Sequence, residues 1–372
     1  MIDQRQQVLF LIPTLRGGGA ERVIVTLLRQ LDSAKFRLTV AVVDMREAAY
    51  RDDVPDYVEL IDLGFSRVRY ALPKIVWMIW KLRPEVVFST LGHLNLALAM
   101  IRPLLPDVVR YIARETSIVS EMLSGYPRSG WWRWAYRCFY HRFNTVVCQS
   151  SYMREDLVVN FTFPSEKAVV INNPVDVAWI QRRAAEPLVT GLEQNNEKGS
   201  DALIHLVAAG RLFRVKGFDL LIEAVALCDN PLLRLTILGE GPLRPDLERL
   251  AVEKGVTGQV RLIGFQRNPY PYFAQAHAFV LSSRFEGFPN VVLEALACGT
   301  PVIATPSPGG VREILDGIAE CIVADSVTAP GLARAICRIH SRTRLSSAVI
   351  EPYAVKKIVG CYEQVLIAHA AL

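Results

Sequence analysis

Leu206-Val207-Ala208-Ala209-Gly210-Arg211-Leu212-Phe213-Arg214-Val215-Lys216-Gly217-Phe218-Asp219-Leu220-Leu221 reads as a strand, a loop and the opening of a helix. The apolar run Leu206–Ala209 suits a strand buried on both faces, two glycines bracket the loop, and a helical pattern starts near Phe218. Strand-to-helix units of this kind recur along most of the chain. In the second half the other expected strands are Arg234–Leu238, Val260–Ile263, Ala278–Ser282 and Val302–Ala304. In the first half they are Val8–Pro13, Leu38–Val43, Val86–Thr90, Val109–Ala113 and Thr145–Gln149. Strands alternating with helix-length amphipathic stretches predict an α/β protein with parallel sheets covered on both faces.

A length of 372 residues suggests two domains. The break is expected just after Asn172-Asn173-Pro174-Val175-Asp176, ahead of a polar stretch, Glu193–Ser200, that cannot pack a core. This gives a first domain over 1–173, a second over 174–352, and a terminal helix over 353–372 with no strand after it. Apolar residues make up 51%, enough for two cores, so disorder is not expected. Mean hydropathy is +0.23, yet no apolar stretch approaches the roughly 20 residues of a bilayer-spanning helix. Val8–Pro13 is too short for a secretory signal, so a cytoplasmic location is expected. Seven cysteines without paired spacing read as reduced core residues. The net charge of +5 suits an anionic ligand or an anionic membrane surface without requiring nucleic acid.

Arg211 and Lys216 lie five residues apart on a loop at a strand's carboxyl end, where open α/β sheets bind ligands. Arginine can grip phosphate oxygens with its fork and lysine adds a mobile point charge. Without further context the same loop is an ordinary basic turn. Gly239-Glu240-Gly241 makes another strand-to-loop turn. The richest stretch is Ser282-Ser283-Arg284-Phe285-Glu286-Gly287-Phe288-Pro289-Asn290-Val291-Val292-Leu293-Glu294. Here a loop should carry Glu286, and a helix starting near Asn290 should carry Glu294 on an otherwise apolar stretch. Carboxylates accept hydrogen bonds from sugar hydroxyls. A buried Glu294 would need a partner, whereas on the outer face it would simply be solvated.

The Glu286-to-Glu294 spacing with Gly287-Phe288-Pro289 between, the trailing Leu293–Thr305 and the upstream Gly210–Ala224 together resemble the retaining GT-B glycosyltransferases of family 4, group 1. The resemblance is strong over 208–315 and looser before. It implies two Rossmann-like, doubly wound domains facing across a cleft, the donor in the second and the acceptor in the first. It further implies that the terminal helix crosses back to the first domain. Arg211 and Lys216 would hold the donor diphosphate, and Glu294 the ribose hydroxyls. Glu286 would contact the transferred sugar near the backbone of Phe288, Pro289 and Asn290, and Gly264 and Phe265 would flank the base. Gly309, Gly310 and Glu313 match a later element of the family.

In the first half, Gly17-Gly18-Gly19 follow the first strand and open a helix, as a phosphate contact would need. They are out of frame for a nicotinamide-binding fingerprint. In the resembled family this loop closes over the diphosphate. A family histidine near the donor sugar would fall at Arg114 or Glu115, so Glu115 is one candidate and His93, after Val86–Thr90, a rival. No Asp-x-Asp motif occurs, so no metal and no other cofactor is expected. The cations and helix termini would carry the diphosphate charge. The family implies same-face attack, with the leaving phosphate helping to deprotonate the acceptor.

Between Met122 and Arg154 there is no acidic residue, while Trp131, Trp132 and Trp134 sit among five arginines. Over 128–143 this suits either a helix in an anionic membrane interface, with Trp132, Tyr136, Phe139, Tyr140 and Phe143 facing the lipid, or an inward aromatic stripe beside a solvated basic face. No nucleic-acid-binding module accompanies it. The expected activity is retaining transfer of a hexose or N-acetylhexosamine, from a UDP-sugar, to a growing glycan. That glycan is expected to be lipid-linked, of lipopolysaccharide or of capsular polysaccharide. The rivals are a GT-B phosphorylase or epimerase, and a non-catalytic nucleotide-sugar-binding scaffold.

Overall fold

A computed structural model describes residues 4–188 and 203–367, so the expected linker Glu193–Ser200 and the last five residues of the expected terminal helix lie outside the described residues. The chain divides into two compact units, Met1–Pro174 with Val355–Leu372, and Val175–Ala354.

The first unit holds strands β1 (Gln6–Thr14), β2 (Phe36–Asp44), β3 (Glu59–Asp62), β4 (Val86–Thr90), β5 (Arg110–Arg114), β6 (Thr145–Cys148) and β7 (Ala168–Val170). Between them run α1 (Gly19–Gln30), α2 (Val68–Leu82), α3 (Gly92–Ile101), α4 (Val119–Ser124), α5 (Ser129–Phe139) and α6 (Ser151–Phe161). The strands are all parallel, in the order β3-β2-β1-β4-β5-β6-β7. Val8–Ile12 of β1 are buried throughout, as a central parallel strand covered on both faces must be.

The second unit holds α7 (Val177–Ala184), then β8 (Ile204–Ala209), α8 (Phe218–Leu227), β9 (Leu233–Leu238), α9 (Arg244–Glu253), β10 (Val260–Gly264) and α10 (Tyr270–Gln275). It continues through β11 (Ala278–Leu281), α11 (Asn290–Ala297), β12 (Val302–Ala304), α12 (Val311–Leu315), β13 (Ile322–Val323) and α13 (Ala329–Ile336). Its parallel order is β10-β9-β8-β11-β12-β13. Strands β3, β7 and β13 were not expected from the sequence. Each is a sheet edge of only two to four residues with half-buried positions, too short to stand out as a strand.

Helix α14 (Val355–Ile367) rejoins the first unit. Ile358, Val359, Tyr362 and Leu366 enter the core around β1. Buried Arg114, at the end of β5, donates from Nε to Tyr362 Oη at 3.0 Å and from Nη2 to Asn173 Oδ1 at 2.5 Å. Arg110 caps the helix by donating to the carbonyls of Val365 and Leu366.

Candidate functional site

The second sheet reverses its winding between β8 and β11, so the loops leaving these two strands open side by side at their carboxyl ends. Backbone contacts hold them together: Arg284 N donates to Val215 O at 2.8 Å, and Ser282 Oγ to Lys216 O at 2.8 Å. Gly217 allows this approach. Its φ is +63°, and a Cβ there would overlap the Ser282 carbonyl. Arg284 also forks onto Asp219 at the start of α8, at 2.9 and 2.6 Å. Burial alone would raise the Asp219 pKa, yet the guanidinium holds it below the ordinary value.

This frame brings Lys216 Nζ to 2.6 Å from Glu286 Oε1, an oxygen that also accepts from Ser283 Oγ at 2.6 Å. Glu286 is fixed from behind as well. Its N–H donates to Pro308 O at 3.0 Å, and its backbone bridges to Gly309, where a Cβ would overlap the Glu286 carbonyl oxygen. Arg211 is exposed, its guanidinium 5.4 Å from the Phe213 ring, and these two line a shallow recess with Val215 and Lys216.

The rim continues along the neighbouring strand ends. Leu212 N donates to Glu240 O and Gly239 N to Gly264 O, which ties the loops after β8, β9 and β10 together. Gly264 has φ +81° at a register shift in β10, and Phe265 beyond it is 73% exposed. On the other side, Pro289 precedes α11, whose first residue is Asn290. Glu294 is only 8% exposed: of the two positions open to it, the apolar residues around it on α11 carry it inward. Phe288 is also buried, its ring tilted against that of Tyr353 with centroids 5.7 Å apart, so its side chain is turned away from a ligand. Lys216, Ser283 and Glu286 are joined by hydrogen bonds, with Arg211 beside Lys216 in the same recess; Phe265 stands two strands further along the rim.

The first sheet reverses between β1 and β4. Gly17, Gly18 and Gly19 are exposed after β1, with Gly17 at φ +106°. Glu21 folds back against Gly18, accepting from Thr14 Oγ1 at 2.7 Å, so a carboxylate already sits beside the helix start. After β4, Leu91 takes the left-handed φ of +74°, a strained conformation for leucine, and turns the chain into α3. His93 in the first turn of α3 is exposed, and the protein packed around it lowers its pKa by disfavouring the charged ring.

Glu115 lies inside the first unit. It is 2% exposed and accepts hydrogen bonds from Tyr140 Oη and from Asn95 Nδ2, the latter at 3.2 Å. Burial pushes its pKa up to about 7. The group ties the end of β5 to α3 through Asn95. Of the two readings open for 128–143, most of the aromatic stripe takes the inward one. Tyr136, Tyr140 and Phe143 are buried, packing with Phe161 and Phe163, while Arg133, Arg137, Arg142 and Arg154 donate to backbone carbonyls. Of the named tryptophans, Trp131 and Trp134 face out.

With this geometry in place, the chain matches the family models described as Glycosyltransferase Family 4, over residues 17–179, and Glycosyl transferases group 1, over residues 204–342. It belongs to the group 1, family 4 glycosyltransferases. It is 29% identical over 83% of both chains to the N-acetylgalactosamine-N,N'-diacetylbacillosaminyl-diphospho-undecaprenol 4-alpha-N-acetylgalactosaminyltransferase of Campylobacter jejuni. Identity is 26% to the lipopolysaccharide core biosynthesis glycosyltransferase LpsD of Rhizobium meliloti, over 93% of this chain and 94% of that one. The structure of Anabaena HepE in complex with UDP and glucose superposes with a TM-score of 0.77 at 16% identity, covering 97% of this chain and 99% of that one. The fold is GT-B.

In this glycosyltransferase, residues not singled out from sequence also build the site. Ser283 and Arg284 shape it directly, and Gly309, noted without a role, sets the position of Glu286. The signal for Ser283 was its place three residues before Glu286, a spacing that lets a hydroxyl reach back within a single turn. Nothing in the sequence marks Leu91 as strained, because its φ follows from how β4 meets α3.

Proposed function

We propose that this glycosyltransferase is a retaining, metal-independent enzyme that transfers a hexose or N-acetylhexosamine from a UDP-sugar to a growing glycan. The acceptor is a lipid-linked oligosaccharide or an intermediate of lipopolysaccharide or capsular polysaccharide, and both full-length relatives described above carry names of that kind. The observation that carries the reading is the Lys216–Glu286 pair at the sheet's switch point, with Arg211 beside it. Lys216 and Arg211 take the diphosphate oxygens, and their positive charge stabilises the negative charge that builds as the C1–O bond to phosphate breaks. Glu286 accepts from hydroxyls of the donor sugar, and Glu294 from the ribose. The acceptor oxygen bonds to C1 on the face the phosphate leaves, and its proton passes to the departing phosphate oxygen.

In the first unit, the exposed glycines 17–19 let backbone N–H groups come close to an oxygen-rich ligand, and His93 stands at the companion loop. Among the described residues no helix is long and apolar enough to cross a membrane. A lipid-linked acceptor is met at the surface of an anionic membrane. The test is thermal shift against UDP- and GDP-sugars with and without EDTA, followed by NMR of the product's anomeric configuration. Stabilisation by UDP-sugars that persists in EDTA, with retained configuration, supports the reading. An inverted product or EDTA-sensitive turnover overturns it, and donor binding with no transfer to any acceptor favours the scaffold.

A further inference from the structure

The outward face of α2 is the molecule's most conspicuous unpartnered surface. Tyr70, Trp77 and Trp80 are 54%, 57% and 51% exposed, although their helix buries Ala71, Ile75, Met78 and Ile79 on its other side. From Leu63 to Pro84 there is no acidic residue, while Arg67, Arg69, Lys74, Lys81 and Arg83 supply five cations. All five are exposed, and among the described residues none is paired with a carboxylate. Two of the cations lie over the aromatic rings instead: Lys81 is 4.7 Å from the centre of Trp77, and Arg69 4.7 Å from that of Tyr70. Trp80 Nε1 donates to Leu104 O at 3.0 Å, and Leu104, 63% exposed, widens the apolar strip.

Large exposed aromatics are unusual on a solvated helix, and clustering makes chance exposure a poor account. Tryptophan and tyrosine with a polar edge suit the headgroup region of a bilayer, where ring and edge are both satisfied. Lysine and arginine stems lie along apolar surface while their heads reach phosphate. A helix bearing, with its two caps, five cations and no carboxylate of its own complements a negative surface. The inward packing of the 128–143 stripe leaves that segment with less apolar area to offer. We infer that α2, with Leu104, is the surface by which this protein docks on an anionic lipid membrane. This deepens and rests on the membrane setting proposed above, but its test uses no sugar transfer.

The full chain is sedimented with vesicles of phosphatidylcholine containing about a third phosphatidylglycerol, and with phosphatidylcholine alone, at low and high salt. Binding to the anionic vesicles that falls with salt, and drops at least tenfold in Lys74→Glu/Lys81→Glu, is the expected result. The variant's melting temperature and its turnover of a soluble acceptor should stay unchanged. Quenching of tryptophan fluorescence by brominated lipid, weakened in Trp77→Ser but not in Trp134→Ser, gives a second reading independent of charge. Undiminished binding of the charge-reversed protein, with loss on Trp131→Ser/Trp134→Ser, overturns the inference and leaves the membrane setting to α5. Wild-type protein that ignores anionic vesicles overturns both. A salt-resistant dimer broken by the α2 changes, without vesicle binding, overturns it in favour of a second copy of this chain.

Discussion

Lys216 Nζ lies 2.6 Å from Glu286 Oε1 at the point where the second sheet reverses, and Ser283 Oγ donates to the same oxygen. Both side chains are mostly shielded, so the pair is held in a defined geometry and not as a loose surface bridge. On the proposed function, an incoming diphosphate would compete for the ammonium, and its binding would loosen the carboxylate toward the sugar.

Lys216→Ala should lower kcat/KM by about a hundredfold or more, because an electrostatic contact to the leaving diphosphate is lost. Lys216→Arg should restore little, since the guanidinium fork does not replace a compact ammonium at this distance. Initial rates and donor-binding calorimetry measure this; wild-type values in Lys216→Ala would remove Lys216 from the site.

Glu294→Ala should weaken UDP binding by about tenfold, the loss of one charge-assisted hydrogen bond. Wild-type protein should prefer UDP over its 2′,3′-dideoxyribose analogue, and the variant should not. Discrimination that survives the substitution would place the ribose elsewhere.

Gly309→Ala should impair both donor affinity and stability. Its Cβ would overlap the Glu286 carbonyl oxygen, and φ is +119°, where an L side chain is strained. Gly317→Ala is the control: its φ is +90° but no atom lies near its Cβ, so it should cost stability without displacing Glu286. Melting curves and donor titrations on both variants separate backbone strain from loss of the site.

The pH dependence of stability should carry the mark of Glu115. Its folded pKa of about 7 exceeds the ordinary 4.5, so between these values the folded protein holds a proton that the unfolded chain releases. Stability from this group is therefore full below about pH 4.5 and falls until about pH 7, by on the order of 3 kcal/mol. Glu115→Gln should flatten that decline in urea titrations from pH 5 to 8. An unchanged slope would show that the carboxyl is not held in its neutral form.

Tyr362→Phe should cost on the order of 1–2 kcal/mol, because it leaves buried Arg114 Nε without its acceptor. Urea unfolding monitored on the first unit measures it, and a loss below the error of the midpoint would mean Arg114 finds another partner.

The central strands were readable because a parallel strand buried on both faces carries an unbroken apolar run, as Val8–Ile12 and Val86–Phe88 do. Edge strands β3, β7 and β13 were not, since a segment of two to four residues is too short for its pattern to separate a strand from a loop. Arg211, Lys216 and Glu286 were legible because their loops leave strands at the carboxyl end and bear charges beside glycines. The stripe of 128–143 was ambiguous in principle: periodicity says which residues share a helix face, not what covers it. The α2 face was missed because its tryptophans are interleaved with core residues of the same helix.

Order along the chain thus carried the strand–helix alternation and the chemistry placed on its loops, because both are local properties of side-chain pattern and backbone propensity. Which loops meet was decided by strand order: β8 and β11 are neighbours although about seventy residues separate them, and only that adjacency brings Lys216 to Glu286. The burial of Glu115 was decided the same way. Its partners Asn95 and Tyr140 come from α3 and from the turn after α5, and the low-dielectric pocket they close with Tyr136 is a product of packing between elements.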